Sequence, residues 1–247
     1  MVTAAGPWIG TLRERPLHAS LKRWYARPGD RVEVAVDGYV IDLVRGDLLI
    51  EVQTRGFSSM RHKIAALLGR GHRVRIVHPI AVDTWIVKLD GDGAVLSRRR
   101  SPRHGRPCDA FAEFVSVAQL LAHDHLEIDL ILIDSEELRY HSPDGPWRRG
   151  GWTVEERRLI EVVGTLPIRD VADLAALIPA GLPEQFTTAD LAVRLGRPRR
   201  VAQQMAYCLR IVDVIVPVAK RGHHVEYRLG SRANGAALSG PANWGER

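Results

Sequence analysis

Residues 39–54, YVIDLVRGDLLIEVQT, constrain this chain more than any other stretch. Two apolar runs flank Arg45-Gly46-Asp47, a pattern that predicts two strands folded on a tight turn. Such a hairpin belongs in a sheet core, yet Asp42 and Glu51 stand inside it among apolar neighbours. Side chains alternate faces along a strand. Asp47, Leu49, Glu51 and Gln53 therefore share one face, and Val40, Asp42 and Val44 share a face of the strand before. If Gly46-Asp47 forms the turn, Asp42 falls opposite Glu51. If Arg45-Gly46 forms it, Asp42 falls opposite Leu49 and diagonal to Glu51. Either register brings the two carboxylates within about 5–8 Å. Like charges that close repel, and a buried carboxylate is unfavourable without a partner. A divalent cation that prefers oxygen ligands, Mg²⁺ or Mn²⁺, resolves both problems.

The pattern around the hairpin predicts a helix over 17–26, a strand over 31–36 and a hairpin turn at Asp37-Gly38. A helix over 58–69 follows, then strands over 73–80 and 84–90. Residues 97–107 read as a basic loop, 108–123 as a helix and 126–134 as a strand. Pro, Gly and Arg crowd residues 141–152, which read as a linker. Helices are then expected over 153–164, 170–177, 187–196 and 199–214, and a ribbon over 215–230. Residues 1–16 read as a loose arm and 231–247 as a disordered tail.

Composition narrows the partners. The chain of 247 residues carries a net charge of +6, which suits an anionic partner. Only Lys22, Lys63, Lys88 and Lys220 are lysines; the other basic residues are arginines, a bias that a GC-rich genome also produces. Two cysteines a hundred residues apart, Cys108 and Cys208, make neither a disulfide framework nor a zinc cluster. No signal-peptide run or membrane-length apolar stretch is visible, so the expected location is cytoplasmic.

Asp42 followed by Glu51-Val52-Gln53 resembles the signature of the PD-(D/E)XK nuclease superfamily. There an Asp near the start of one strand precedes a Glu or Asp, an apolar residue and a Lys on the next. The order of a helix, a three-stranded meander, a helix and a further strand is also similar, over roughly residues 17–134. The resemblance implies a restriction-endonuclease-like mixed α/β sheet flanked by helices. It further implies Mg²⁺ or Mn²⁺ held by Asp42 and Glu51, with Gln53 in the place of the usual lysine as a water or phosphate orienter. Some members carry Gln there, and others supply the lysine from the next helix, where Lys63 lies. The activity implied is metal-assisted hydrolysis of a phosphodiester.

Residues 153–230 resemble a winged helix-turn-helix domain, mainly helical. In that reading the second helix presents Arg197, Arg199, Arg200, Gln203 and Gln204 to nucleic acid, and Lys220 and Arg221 lie at the wing tip. The expectation is thus a metal-dependent nuclease acting on DNA at residues 17–140, with the second domain supplying affinity. Two alternatives stand beside it. One is an inactive nuclease fold used for DNA or protein binding; the other is a winged-helix transcription regulator. A single chain, a homodimer and a larger protein complex are all open. The His123-Asp124-His125 cluster reads as a solvated loop, and His62 as an exposed bystander.

Overall fold

The computed structural model describes residues 15–233. Residues 1–14 of the expected arm and 234–247 of the expected tail lie outside the described residues. Helix α1 (Pro16–Tyr25) leads into β1 (Arg31–Val36), β2 (Tyr39–Arg45) and β3 (Leu48–Val52). β1 and β2 join through Asp37-Gly38, where both φ angles are positive, 50° and 84°. That geometry matches the twist of paired strands, and Asn, Asp and Gly tolerate it best. β2 and β3 join through Gly46-Asp47, with Arg45 paired to Leu48. Helix α2 (Arg61–Gly69) then carries the chain across to β4 (Arg73–Leu89), which lies parallel to β3.

One edge of β4 is shared between two strands. Its first half pairs with β3, and its far half pairs with the antiparallel β5 (Val95–Arg100). After a segment containing one α-helical turn, α3 (Phe111–Phe114), β6 (Leu126–His141) runs parallel to β4. β7 (Trp152–Ile168) returns antiparallel along β6. The result is a mixed sheet in the order β1-β2-β3-β4-β6-β7, with β5 on β4.

Helices cover both faces. On one, Leu17 and Leu21 of α1 pack with Leu43, Ile50, Val52, Val77, Ile131 and Ile133. On the other, Ile64 and Leu67 of α2 join Phe57, Phe111 and Phe114. Each such side chain contributes about 1.5–3 kcal/mol by leaving water.

The chain continues as α4 (Val171–Ala175), α5 (Thr188–Leu195), α6 (Arg199–Ile211) and a hairpin of β8 (Ile215–Arg221) and β9 (His224–Leu229). Thr187 caps α5 by accepting from the N–H groups of Ala189 and Asp190, while Asp190 accepts from the Thr187 N–H. Gly196, with φ of 59°, closes the helix in the left-handed conformation that glycine adopts without strain. Met205 and Leu209 of α6 enter the same core as Phe111 and Phe114. Two arginines lock the junction. Arg106 donates to the Leu195 carbonyl at 3.1 Å, and Arg197 donates to His104 O at 2.6 Å and Asp109 Oδ2 at 2.7 Å.

The structure corrects several expectations. Residues 153–164 are strand, not helix. The Glu and Arg residues there favour a helix by propensity, but β6 offers a long unpaired edge, and pairing from Ile128–Ile168 to His141–Trp152 wins. The expected linker 141–152 is consequently the turn of that hairpin, and the first unit extends through β7. The expected strands 73–80 and 84–90 are one strand, bulged between Ala81 and Asp83. Part of the expected basic loop is β5. The expected helix 108–123 breaks into 3₁₀ turns around α3, with a kink at Val117, where two valines disfavour α-helix. Ser231–Ala233 forms a 3₁₀ turn with Ala233 buried. Among the described residues no helix is long and apolar enough to cross a membrane.

A shared core predicts one cooperative unfolding transition for the two units. Arg197→Ala should lower stability by roughly 1–3 kcal/mol, since it removes the charged donor to Asp109 and to the His104 carbonyl. Urea unfolding followed by circular dichroism and by tryptophan fluorescence checks both points. Two separate transitions in the wild type would contradict the shared core.

Candidate active site

The two hairpin carboxylates meet where the sheet ladder stops. The β2–β3 pairing runs from Arg45–Leu48 to Leu43–Ile50, and the same register continued places Asp42 across from Glu51. At that step a side chain replaces backbone pairing. Asp42 Oδ2 accepts from the Val52 N–H at 2.9 Å. The carboxylate therefore lies in the mouth between the two strands, and helices from both faces of the sheet reach it.

From α1, His18 Nε2 lies 3.3 Å from Asp42 Oδ2. Lys22, one turn later, is buried and pairs with Glu33 at 2.9 Å. From α2, Lys63 Nζ lies 2.6 Å from Glu51 Oε1 and donates to the Val40 carbonyl at 2.6 Å. The contact with Glu51 is a close ion pair, and Lys63 favours the ionised form of the carboxylate. Gln53, at the end of the motif, donates its amide to Gly56 O at 2.8 Å and Ser59 Oγ at 3.2 Å. Its backbone carbonyl lies 2.7 Å from His78 Nδ1.

The two carboxylates differ electrostatically. Burial raises Glu51, the neighbouring charge of Asp42 raises it further, and Lys63 offsets only part, leaving its pKa at about 7. Burial also acts against the charged form of Asp42, but the hydrogen bond and charge of His18, the Val52 N–H and the charge of Lys22 together hold its pKa below the ordinary value of 3.8. One carboxylate is thus firmly ionised and the other poised near neutrality. That is the signature of a site short of positive charge.

Sequence reasoning placed Asp42, Glu51, Gln53 and Lys63 in this region; the structure brings Asp42, Glu51 and Lys63 together, while the Gln53 amide turns to Gly56 and Ser59. It did not single out His18 and Lys22. Their signal was present: they stand four residues apart on α1, directly beside the apolar pair Leu17 and Leu21.

The expected nucleic-acid contacts divide. Arg199, Arg200 and Gln203 are exposed on the first turns of α6, and Gln204 is half-buried. Tyr207 and Arg210 prolong the exposed side, the guanidinium 5.9 Å from the ring centre. Lys220 is exposed on β8, and Arg221 is the last residue of that strand. Arg197 is different: its guanidinium is committed to His104 and Asp109 at the junction, so its charge holds the two units together. His123 and His125 are exposed, with rings 5.7 Å apart, and among the described residues no group of three or more His, Cys, Asp or Glu is arranged to hold a metal.

Known proteins resemble this chain over the segment that builds the site. The family described as Domain of unknown function (DUF8091) matches residues 15–169, from the start of α1 to the end of β7. An uncharacterized protein of Treponema pallidum (strain Nichols) is 32% identical over 221 residues, covering 89% of this chain and 87% of the relative. No solved structure matches the chain.

The raised pKa of Glu51 carries a stability consequence. In the folded protein Glu51 holds its proton up to about pH 7, whereas in the unfolded chain it releases it near 4.5. The folded state binds the extra proton in that window, so this group's contribution to stability falls as pH rises from 4.5 to 7. Glu51→Gln removes the ionisation. The variant should match the wild type at pH 4.5 and exceed it in stability above pH 7, by up to a few kcal/mol. Urea midpoints across pH, measured in EDTA, provide the check. An unchanged gap at every pH would show that Glu51 titrates alike in the folded and unfolded chains.

Proposed function

The chain belongs to the DUF8091 domain family, and we propose that this member is a divalent-metal-dependent nuclease acting on DNA. The observation that carries the reading is the convergence of Asp42 and Glu51 at the end of β3, with Lys63 reaching Glu51 from the following helix. The element order supports it: α1, the β1–β3 meander, α2 and the parallel β4 follow the succession that the sequence resemblance implies.

The residues present fit a metal. Two carboxylates supply hard oxygen ligands, and Mg²⁺ is commonly held by one or two carboxylates with water and substrate phosphate completing its shell. Glu51, buried beside Asp42 and raised in pKa despite Lys63, is the observation that favours added positive charge. Asp42 and Glu51 would hold Mg²⁺ or Mn²⁺, which when bound supplies Lewis-acid charge to the phosphodiester and to the attacking water.

The chain's own groups do the rest. The Val52 N–H fixes one oxygen of Asp42, and His18 keeps that carboxylate ionised. Lys63 places a positive charge beside the site, where it offsets charge developing on phosphate. Gln53 has its amide nitrogen tied to Gly56 and Ser59, which leaves Oε1 as the group that accepts a hydrogen bond from water. Phe57 and His78 pack edge-to-face behind this turn, their ring centres 5.0 Å apart, and hold it. In this reading α5, α6 and the β8–β9 hairpin act as a winged helix-turn-helix unit. Arg199, Arg200 and Lys220 contact phosphates, and Gln203 faces the groove.

A second reading, a nuclease fold that binds DNA without cutting it, draws on one observation. Both carboxylates already have a basic neighbour, His18 or Lys63, and the usual motif lysine is Gln53. Incubation with a panel of duplex, single-stranded and branched DNA and RNA, in Mg²⁺, Mn²⁺ or EDTA, separates the two. The nuclease reading expects metal-dependent cleavage that is lost in Asp42→Ala and falls by about 10²-fold or more in Gln53→Ala and Lys63→Ala. Calorimetry should show Mn²⁺ binding with proton release below about pH 7, since the metal displaces the proton of Glu51. Cleavage that survives both Asp42→Ala and Glu51→Ala would rule the site out.

Replacement of Arg199 and Arg200 by Ala should weaken duplex binding. The slope of log K against log salt should shrink by roughly 0.9 for each phosphate no longer neutralised. An unchanged slope would mean that these arginines face solvent in the complex.

A further inference from the structure

A cleft of about 250 Å³ opens between the start of α1, residues 54–55 after β3, and residues 154–157 at the start of β7. Three arginines line it, Arg15, Arg55 and Arg157, with Thr54, Glu155 and Glu156. No residue expected from the sequence to touch nucleic acid lies here.

The charges are unequally committed. Arg157 is held from behind by Glu137 at 3.2 Å, and Glu156 is paired with Arg158. Among the described residues Arg15 and Arg55 make no ion pair. Arg15 and Arg55 outnumber Glu155, the one lining carboxylate with no ion pair among the described residues, and guanidiniums in excess around a concave surface suit an oxyanion, which they bind in a bidentate manner. The first turn of α1 adds to the same wall, because its N-cap, Arg15, supplies no side-chain acceptor to the open N–H groups. The volume is below the roughly 300–1,000 Å³ of sites for whole small-molecule ligands. It suits a phosphate with its sugar.

The position gives the cleft its meaning. Leu17 lines it, and the next residue, His18, touches Asp42. Thr54 lines it, two residues after Val52, whose N–H binds Asp42. The cleft and the hairpin carboxylates are thus linked through adjacent residues of α1 and of the segment after β3. We infer that this cleft binds a phosphate group of the nucleic-acid strand held at the hairpin, through Arg15, Arg55 and Arg157. The inference rests on the reading of Asp42 and Glu51 as a phosphodiester site, and it adds a specific grip on the strand, separate from α6. The phosphate is either an internal one next to the reacting position or the terminal phosphate of a strand end.

The test is binding without chemistry. Short single-stranded oligodeoxynucleotides, with a 5′-phosphate or a 5′-hydroxyl, are titrated in EDTA against the full-length protein and against Arg15→Ala/Arg55→Ala. Both positions are exposed, so the fold should persist, and thermal melting verifies it. The expected result is weaker binding, with the salt slope reduced by roughly 0.7 for each phosphate that the variant no longer neutralises on a single strand. Equal losses for both oligonucleotides identify an internal phosphate. A loss confined to the phosphorylated one identifies a strand end. Arg55→Glu should deepen the loss, and Arg55→Lys should recover part of it. Affinity and slope unchanged in every variant would overturn the inference. A parallel cleavage assay keeps the two readings apart. If the wild type cuts nothing while the arginine variants lose affinity, the nuclease reading fails and the phosphate cleft stands. If cleavage depends on Glu51 while the arginine variants bind normally, the reverse holds.

Discussion

Parallel pairing of β4 with β6, from Val74–Leu126 to Leu89–Tyr140, is the constraint on which the rest depends. Both strands are far longer than β3. Their first halves are buried on both faces and carry the apolar residues that α1, α2 and the segment around α3 cover. Their second halves run on past the end of β3, where only β5 and β7 flank them. Parallel strands need cover on both faces because their crossovers place helices there. That requirement accounts for the docking of the C-terminal helices onto the sheet face already occupied by α2 and α3. The sheet would otherwise leave Phe111 and Phe114 exposed.

The same arrangement creates the site. β3 stops at Val52 while β4 continues, so the chain leaves the sheet at a step in its edge. Backbone groups at such a step need other partners. The Val52 N–H takes the carboxylate of Asp42, and the Gln53 N–H takes the Val77 carbonyl. Once Asp42 is fixed in the mouth of the hairpin, Glu51 ionises against it in a desolvated setting. Lys63 and His18 then act as the local counter-charges, each from a different helix and a different face. The electrostatics of the pair therefore follow from where a ladder ends.

Charge elsewhere is used for structure. Glu127 is gripped by Arg73 and Arg75, and Asp129 by Arg169 at 2.5 Å and by the Tyr25 hydroxyl. Both acids lie in the first residues of β6, where Asp129 is level with Val77 and Val52 across the parallel strands. The arginine excess read from composition is thus partly committed inside the fold. A count of basic residues overstates what is open to an anionic partner, and Arg197 is the clearest instance.

Local pattern determined much of this protein. The turn at Gly46-Asp47 fixed the register that sets Asp42 against Glu51, because the turn and loop length of a hairpin determine which residues pair. Capping residues and apolar spacing determined α5 and α6, whose Thr187 and Gly196 act through neighbours in the chain. The tertiary structure alone decided β7, where pairing with a distant strand overrode the helix preference of its Glu and Arg residues. It also decided the extent of β4 and β6, the docking of the second unit, and the partners of each buried charge. His18, Lys63 and Arg197 acquire their roles from residues 24, 12 and 88 positions away. Periodicity reports which face a side chain shares with its near neighbours. Which distant group meets it there depends on the packing of the whole sheet.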